Sequence, residues 1–205
     1  MSLVKCSDIK DLVYSYLGYR GINSDLEIDS LILECFSEVE ELSQFRYMMY
    51  EYTEILDFLK RNESYQKLLN NCSSYLFVIT TLGSRIDDRC KYYSKTNMKK
   101  MCVFDAVASA YLEALADKYE ADNIKSPHTY RFCPGYQNTS VEDLREIFKI
   151  IKPFKLGISL LDSNLMIPLK TMCGIIALGK TSKKECGHCA IKDKCEYRKK
   201  GKTCF

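Results

Sequence analysis

The sequence has no apolar run that approaches the roughly 20 residues a helix needs to cross a bilayer. It also has no internal repeat and no low-complexity linker. Residues 1–8 contain no apolar stretch long enough for a signal peptide, so we expect the protein to stay in the cytoplasm. With 46% hydrophobic and 28% charged residues in a chain of 205, the composition is that of one globular domain, alone or with an appendage.

Cysteine, in contrast, is abundant, with 11 residues. In a reducing cytosol, cysteines are more often buried small side chains, metal ligands or redox groups than disulfides. Because the number is odd, the cysteines cannot all pair within one chain. Seven are scattered singly and fit the role of buried thiols, whereas four are concentrated in the last 20 residues.

The charges are as unevenly distributed as the cysteines. Residues 180–205 contain nine Lys or Arg and three Asp or Glu, a net charge of +6. Residues 1–179 contain the remaining 21 basic and 24 acidic residues, a net charge of −3. This boundary divides the chain into an acidic body over 1–180 and a basic, cysteine-rich tail over 181–205.

The body alternates between helical and strand patterns, which is typical of an α+β fold with helices packed on a mostly antiparallel sheet. Residues 46–59 fit either a strand or a helix, and we favour a strand over 46–52. A capping-box pattern at 140–143 predicts the start of a helix that Pro153 closes. The predicted helices are 8–17, 25–44, 64–71, 99–120 and 140–151, and the other predicted strands are 75–81, 165–167 and 174–178.

A loop over residues 130–136 carries the first candidate binding residues. Pro134 fixes a backbone angle, and Gly135 can take a positive φ or let a ligand approach the backbone closely. Arg131 could form a fork on a carboxylate, with Tyr136 and backbone groups holding the rest of a small zwitterion. The alternative is an ordinary Pro-Gly turn, which the local spacing alone favours.

Several stretches, in the right order, resemble the reactivation domain of cobalamin-dependent methionine synthase. Residues 131–136 are similar to its R-x-x-P-G-Y signature, and residues 163–175 to its stretch of Met-x-Pro, small residues and Gly. Upstream, residues 77–83 and the Ala-rich helix over 102–120 fall where related stand-alone proteins have a T-x-G strand and a helix. The resemblance covers about residues 75–180.

The resemblance implies a C-shaped α+β fold with a bent antiparallel sheet that binds S-adenosylmethionine in a shallow groove. That family repairs methionine synthase, because it restores methylcobalamin from inactive cob(II)alamin with an electron and a methyl group. By position, Arg131 would contact the amino-acid end of S-adenosylmethionine. Cys133 and Gly135 would contribute backbone contacts, and Tyr136 would face the corrin. The protein's role would be positioning and water exclusion.

The sequence departs from that family in three respects. It has no attached homocysteine, folate or cobalamin module, so the corrinoid would arrive on a separate methyltransferase. As in the family, the electron would come from a donor protein. The family's C-terminal hairpin, with its further ligand-contacting tyrosine, has no match after Leu178. The family's early acidic ligand is not placed either, although Asp87 and Asp88 are candidates by location.

The tail forms a separate candidate metal site. Its cysteines follow the spacing C-x2-C-x5-C-x8-C, and the first step lets two thiolates chelate one ion. Four thiolates suit Zn²⁺ or an iron–sulfur cluster equally well, and we favour a cluster slightly because reactivation requires an electron. His188 could replace one thiolate. The four cysteines are Cys186, Cys189, Cys195 and Cys204.

Two other functions stay open on the sequence alone. The tail could be a zinc knuckle that contacts nucleic-acid phosphates, although the body is acidic and the basic run has few aromatic residues. Alternatively, the protein could be a non-catalytic adaptor that caps a corrinoid protein without binding S-adenosylmethionine.

Overall fold

The structure is a computed structural model that describes residues 4–19, 25–182 and 199. Its helices are α1 (Cys6–Tyr16), α2 (Leu26–Leu42), α3 (Asp57–Lys60), α4 (Glu63–Leu69), α5 (Ser84–Thr96), α6 (Met98–Asn123) and α7 (Asp143–Ile151). Its strands are β1 (Arg46–Tyr52), β2 (Ser74–Thr81), β3 (Ser159–Leu160), β4 (Met166–Ile167) and β5 (Thr171–Leu178). A 3-10 turn over Pro153–Leu156 follows α7.

The main sheet has the order β1-β2-β5, and both pairings are antiparallel. All eight residues of the central strand β2 are buried, which agrees with its run of aromatic and β-branched side chains. Beyond β5, isolated bridges join His128 to Leu178 and Phe132 to Ile175. Residues 128–132 therefore run antiparallel to β5 along the outer edge of the sheet.

The two faces of the sheet pack against different layers. Tyr75, Phe77 and Ile79 point to a core formed with α3, α4 and α7. Leu76 and Val78 point to the opposite face, in a smaller cluster with Ile124 just beyond α6. Successive strand residues alternate between faces. Odd-numbered residues of β2 and β5 therefore face the core with α3, α4 and α7, and even-numbered residues face the opposite side.

A second large core surrounds α6, the longest helix, at 26 residues. Helices α1, α2 and α5 pack around it through apolar residues with helical spacing, such as Ile32, Cys35 and Val39 of α2. Asp25 caps α2, since its carboxylate accepts the amides of Glu27 and Ile28. Helix α6 is thus held on several sides and forms a fixed support for the sheet edge beside it.

The α+β class and the antiparallel sheet predicted from the sequence are confirmed. The helices predicted over 8–17, 25–44, 64–71 and 99–120 correspond to α1, α2, α4 and α6, and the strand over 46–52 is β1. The strand predicted over 174–178 is longer, because β5 begins at Thr171. The strand predicted over 165–167 is reduced to β4, which pairs with the unpredicted β3.

Two features differ from the sequence prediction. Helix α5 was not predicted, because Ile86 and Tyr93 are its only buried residues and the rest of its face is polar or charged. The predicted capping box is wrong, since the helix begins at Asp143 and the Ser140 hydroxyl accepts the amide of Glu142 within a turn. The carboxylate of Asp143 instead accepts the Tyr65 hydroxyl at 2.9 Å, which ties α7 to α4.

We expect Phe104→Ala in α6 to lower the free energy of unfolding by about 3–5 kcal/mol, because Phe104 is fully buried and alanine would leave a cavity. Urea titration followed by circular dichroism measures the change. Leu33→Ala, on the exposed face of α2, is the control and should change stability by less than about 0.5 kcal/mol. Equal losses in the two variants would contradict the position assigned to α6 at the centre of this core.

Candidate functional site

Arg131 lies against one face of α6, where three carboxylates surround its guanidinium. Its Nη2 donates to Glu113 at 2.8 Å and to Asp117 at 2.9 Å. Its Nη1 donates to Glu120. The Arg131 side chain is only 3% exposed, so these contacts form a desolvated ion-pair network.

The main chain places Arg131 on this face of the sheet. Phe132 exchanges two backbone hydrogen bonds with Ile175 and points towards the α4 and α7 side. The preceding Arg131 must therefore point to the opposite face, where α6 passes. The β5 residue beneath it is Gly174, and a Cβ there would lie 2.6 Å from Cγ of Arg131. Glycine at 174 therefore provides the space for the arginine stem.

Glu120 is the fixed member of the network. Its side chain is 7% exposed, which is unusual for a glutamate, and it also accepts the hydroxyl of Tyr47 at 2.5 Å. Tyr47 of β1 is itself stacked on Tyr119, with ring centroids 4.4 Å apart. The buried carboxylate of Glu120 thus connects strand β1, helix α6 and the segment over residues 128–132.

Glu113 and Asp117 are more accessible, with side chains 32% and 56% exposed. Burial alone would lower the pKa of the Arg131 guanidinium, but the charges of the three carboxylates raise it above its ordinary value. One fixed positive charge therefore faces three carboxylates, and with all of them ionised the site has a net charge of −2. Such a site attracts cationic groups to its accessible side.

The loop after Arg131 is held in a fixed shape. Gly135 has a φ of 94°, and a Cβ there would lie 2.8 Å from Cγ1 of Val141. Its amide donates to the hydroxyl of Thr139 at 3.0 Å, and that hydroxyl donates to the carbonyl of Tyr136. Ser64 of α4 donates to the carbonyl of Gln137 at 2.6 Å, which attaches the loop to the body.

The loop returns towards the face of α6 that holds Arg131. Tyr136 is 69% exposed, and partial burial, followed by the neighbouring Cys133 and Glu113, raises the pKa of its hydroxyl. Cys133 is half-buried. The structure therefore brings Arg131, Cys133 and Tyr136 into one region, with Gly135 in the turn between them.

Asp87 and Asp88, the candidates for the early acidic ligand, lie on α5 in different surroundings. Asp88 is exposed. Asp87 accepts the backbone amide of Leu169 at 2.8 Å, and its other oxygen is buried without a hydrogen bond. Burial raises the pKa of Asp87 above its ordinary value. Its visible role is to attach α5 to the loop that leads into β5.

The tail cysteines Cys186, Cys189, Cys195 and Cys204, together with His188, lie outside the described residues, as does most of the predicted tail. Within residues 4–19 and 25–182, no group of three His, Cys, Asp or Glu side chains is arranged to hold a metal ion. In the same part of the chain, no helix is both long and apolar enough to cross a bilayer.

The sequence pattern did not identify the three carboxylates of α6. Glu113, Asp117 and Glu120 follow an i, i+4, i+7 spacing, which places them on one helical face. The apolar face of the same helix was recognised, but a row of acids on a helix is usually a solvated surface. The signal that could have identified them is this row together with a single arginine in a Pro-Gly loop that follows the helix.

We expect Gly174→Ala to lower the free energy of unfolding by about 1–3 kcal/mol, because the new methyl group would overlap the Arg131 stem. In an Arg131→Ser background the same substitution should cost less, since the stem is gone. Urea titrations of the four proteins in this double-mutant cycle measure the coupling. An equal cost in both backgrounds would contradict the packing of Arg131 on Gly174.

No protein-family model and no curated protein matches the sequence. Among solved structures, the chain matches a crystal structure of the MetH reactivation domain bound to AdoHcy, with a TM-score of 0.61 and 13% sequence identity. The match covers 98% of this chain and 85% of the other. The chain therefore has the fold of the MetH reactivation domain.

Proposed function

We propose that this protein binds S-adenosylmethionine at Arg131 and supports the reductive methylation of cob(II)alamin on a separate cobalamin-dependent methyltransferase of the methionine synthase type, in the cytoplasm. The observation that carries the proposal is the Arg131 network, in which one buried guanidinium meets two accessible carboxylates of α6. The likeness in fold to a reactivation domain whose structure contains AdoHcy supports the same conclusion.

The charges of the site fit this ligand. S-adenosylmethionine has one negative carboxylate and two positive groups, the ammonium and the sulfonium. The carboxylate would bind the Arg131 guanidinium, and the ammonium would bind Glu113 or Asp117. A site with more negative than positive charges also favours the cationic sulfonium, which distinguishes the methyl donor from its neutral thioether product.

Ligand binding requires a local exchange of partners. The Nη2 donors of Arg131 now bind Glu113 and Asp117, so these carboxylates would turn towards the ligand ammonium as the ligand carboxylate takes their place. Both side chains are partly exposed. Glu120 would stay in place, because it is buried and held by Tyr47.

The loop after Arg131 would contact the ligand as well. We assign backbone contacts to Cys133 and Gly135, with the carbonyl of Gly135 as the available group because its amide already binds Thr139. The exposed ring of Tyr136 would face the corrin of the partner. These roles rest on the position of the loop beside Arg131 and on its fixed shape.

The chemistry asks little acid–base catalysis of the protein. In the proposed reaction, a donor protein would supply one electron to cob(II)alamin on the partner, and S-adenosylmethionine would supply the methyl group and leave as S-adenosylhomocysteine. The sulfonium is already a good leaving group. The residues of this chain would hold the methyl donor in line with the cobalt and exclude water. An iron–sulfur cluster held by the cysteine tail could pass the electron to the cobalamin.

We expect Arg131→Lys to weaken S-adenosylmethionine binding by at least about tenfold, since lysine keeps the charge but loses the planar fork that binds a carboxylate in two places. Isothermal titration calorimetry on anaerobically purified protein measures the affinity. Arg89→Lys is the matched control, because Arg89 also forms an ion pair, at 3.0 Å to Glu38, but lies on α5.

Saturable binding that Arg131→Lys weakens and Arg89→Lys leaves unchanged supports the proposal. Absence of binding to folded wild-type protein contradicts it. Equal weakening in both variants would show that the ligand does not bind at Arg131.

One observation favours a second candidate, the non-catalytic adaptor. Arg131 has a complete set of protein partners and is almost fully buried, so the network could serve only to attach α6 to the sheet edge. In that case the protein would cap a corrinoid protein without a methyl donor. Failure of S-adenosylmethionine to bind, together with retained association with a corrinoid methyltransferase, would favour the adaptor.

We expect the anaerobically purified full chain to contain bound iron with sulfide, or zinc, held by Cys186, Cys189, Cys195 and Cys204. Elemental analysis and visible absorption distinguish the two metals. Substitution of Cys186 and Cys189 by serine should remove the metal, whereas substitution of Cys72 and Cys102, free cysteines of the body, should not. A wild-type chain without metal, or equal metal in all variants, would contradict this assignment.

A further inference from the structure

The polar face of α6 continues beyond the carboxylates that hold Arg131. Asp105, Ser109, Glu113 and Asp117 are each four residues apart, so they form one row along the helix. Arg131 occupies the end of this row towards the helix C-terminus. The other end has its own cation, Lys170.

Lys170 holds the first two members of the row. Its Nζ donates to Oδ1 of Asp105 at 2.7 Å and to the hydroxyl of Ser109 at 2.8 Å. The lysine side chain is 12% exposed, whereas that of Asp105 is 51% exposed. The lysine therefore fixes the orientation of a carboxylate that solvent, and a ligand, can reach.

The two ends lie on the same face of the sheet. Lys170, Met172 and Gly174 are two residues apart, so in extended chain they share one face, and Arg131 packs on Gly174. Because residues 128–132 run antiparallel to β5, the chain that leaves Arg131 heads towards the Lys170 end.

The spacing of the two ends fits an aminoacyl nucleoside. Asp105 and Glu113 are eight residues apart, which is about 12 Å along a helix axis. In S-adenosylmethionine, eight bonds separate the carboxyl carbon from the ribose 3′-oxygen, which is about 10 Å for an extended chain. Half-exposed side chains at both ends can close the remaining distance.

We propose that Asp105, oriented by Lys170 and Ser109, binds the ribose diol of the nucleoside whose amino-acid end binds Arg131. This inference rests on the proposed function and adds the residues that recognise the sugar. A carboxylate has about four acceptor sites. Lys170 and the Cys90 thiol both donate to Oδ1 of Asp105, so Oδ2 can accept the ribose hydroxyls. The third donor of the Lys170 ammonium is available to a ribose oxygen.

The test is calorimetric titration of S-adenosylhomocysteine and its 2′-deoxy and 3′-deoxy analogues into wild-type protein, Asp105→Asn and Arg131→Lys. A hydrogen bond to a charged group is worth about tenfold or more in affinity. We expect Asp105→Asn to lose at least about tenfold for the parent ligand. At least one deoxy analogue should lose a similar factor on wild-type protein but little on Asp105→Asn.

The matched control is Glu34→Gln. Like Asp105, Glu34 is an accessible carboxylate paired with a largely buried lysine, in this case Lys100 of α6. It should not change affinity. The affinities of the deoxy analogues are measured on wild-type protein, so that comparison does not depend on how well a variant folds.

The outcomes separate the two proposals. If Arg131→Lys weakens binding but neither Asp105→Asn nor the deoxy analogues do, the ribose assignment is overturned and the proposed function stands. If wild-type protein binds none of these ligands and no S-adenosylmethionine, both are overturned. Equal losses in Asp105→Asn and Glu34→Gln would also overturn the ribose assignment.

Discussion

The burial of one guanidinium against α6 is the constraint on which the rest of the site depends. Arg131 comes from the sheet edge, passes over Gly174 and meets three carboxylates of the helix. Removing a charge from water is costly unless its partners are close and well oriented. The network therefore fixes the distance between α6 and the sheet edge.

The carboxylates divide into a structural and an adaptable group. Glu120 is buried and also bound by Tyr47, so it holds the arginine in place. Glu113 and Asp117 are partly exposed, and an exposed ion pair contributes little to stability. The protein can therefore exchange these two partners for a ligand without losing the contact that positions Arg131.

Local patterns in the sequence predicted the elements that bury a regular apolar face, such as α2, α6 and β2. They did not predict α5, whose surface is largely charged. The loop over 130–136 was singled out correctly as a fixed turn, but the partners of Arg131 lie 11 to 18 residues away on a helix. Pairing of this kind depends on how the helix packs, which residue spacing alone does not determine. The resemblance to the reactivation domain predicted the fold, and the roles of the residues stay predictions.

A crystal structure of the protein with S-adenosylmethionine would show directly whether the ligand binds at Arg131. We expect density for the ligand carboxylate at the Nη2 side of Arg131, with Glu113 or Asp117 turned to the ligand ammonium and Glu120 still bound by Tyr47. A ligand bound elsewhere, with Arg131 still held by all three carboxylates, would contradict the proposed binding site.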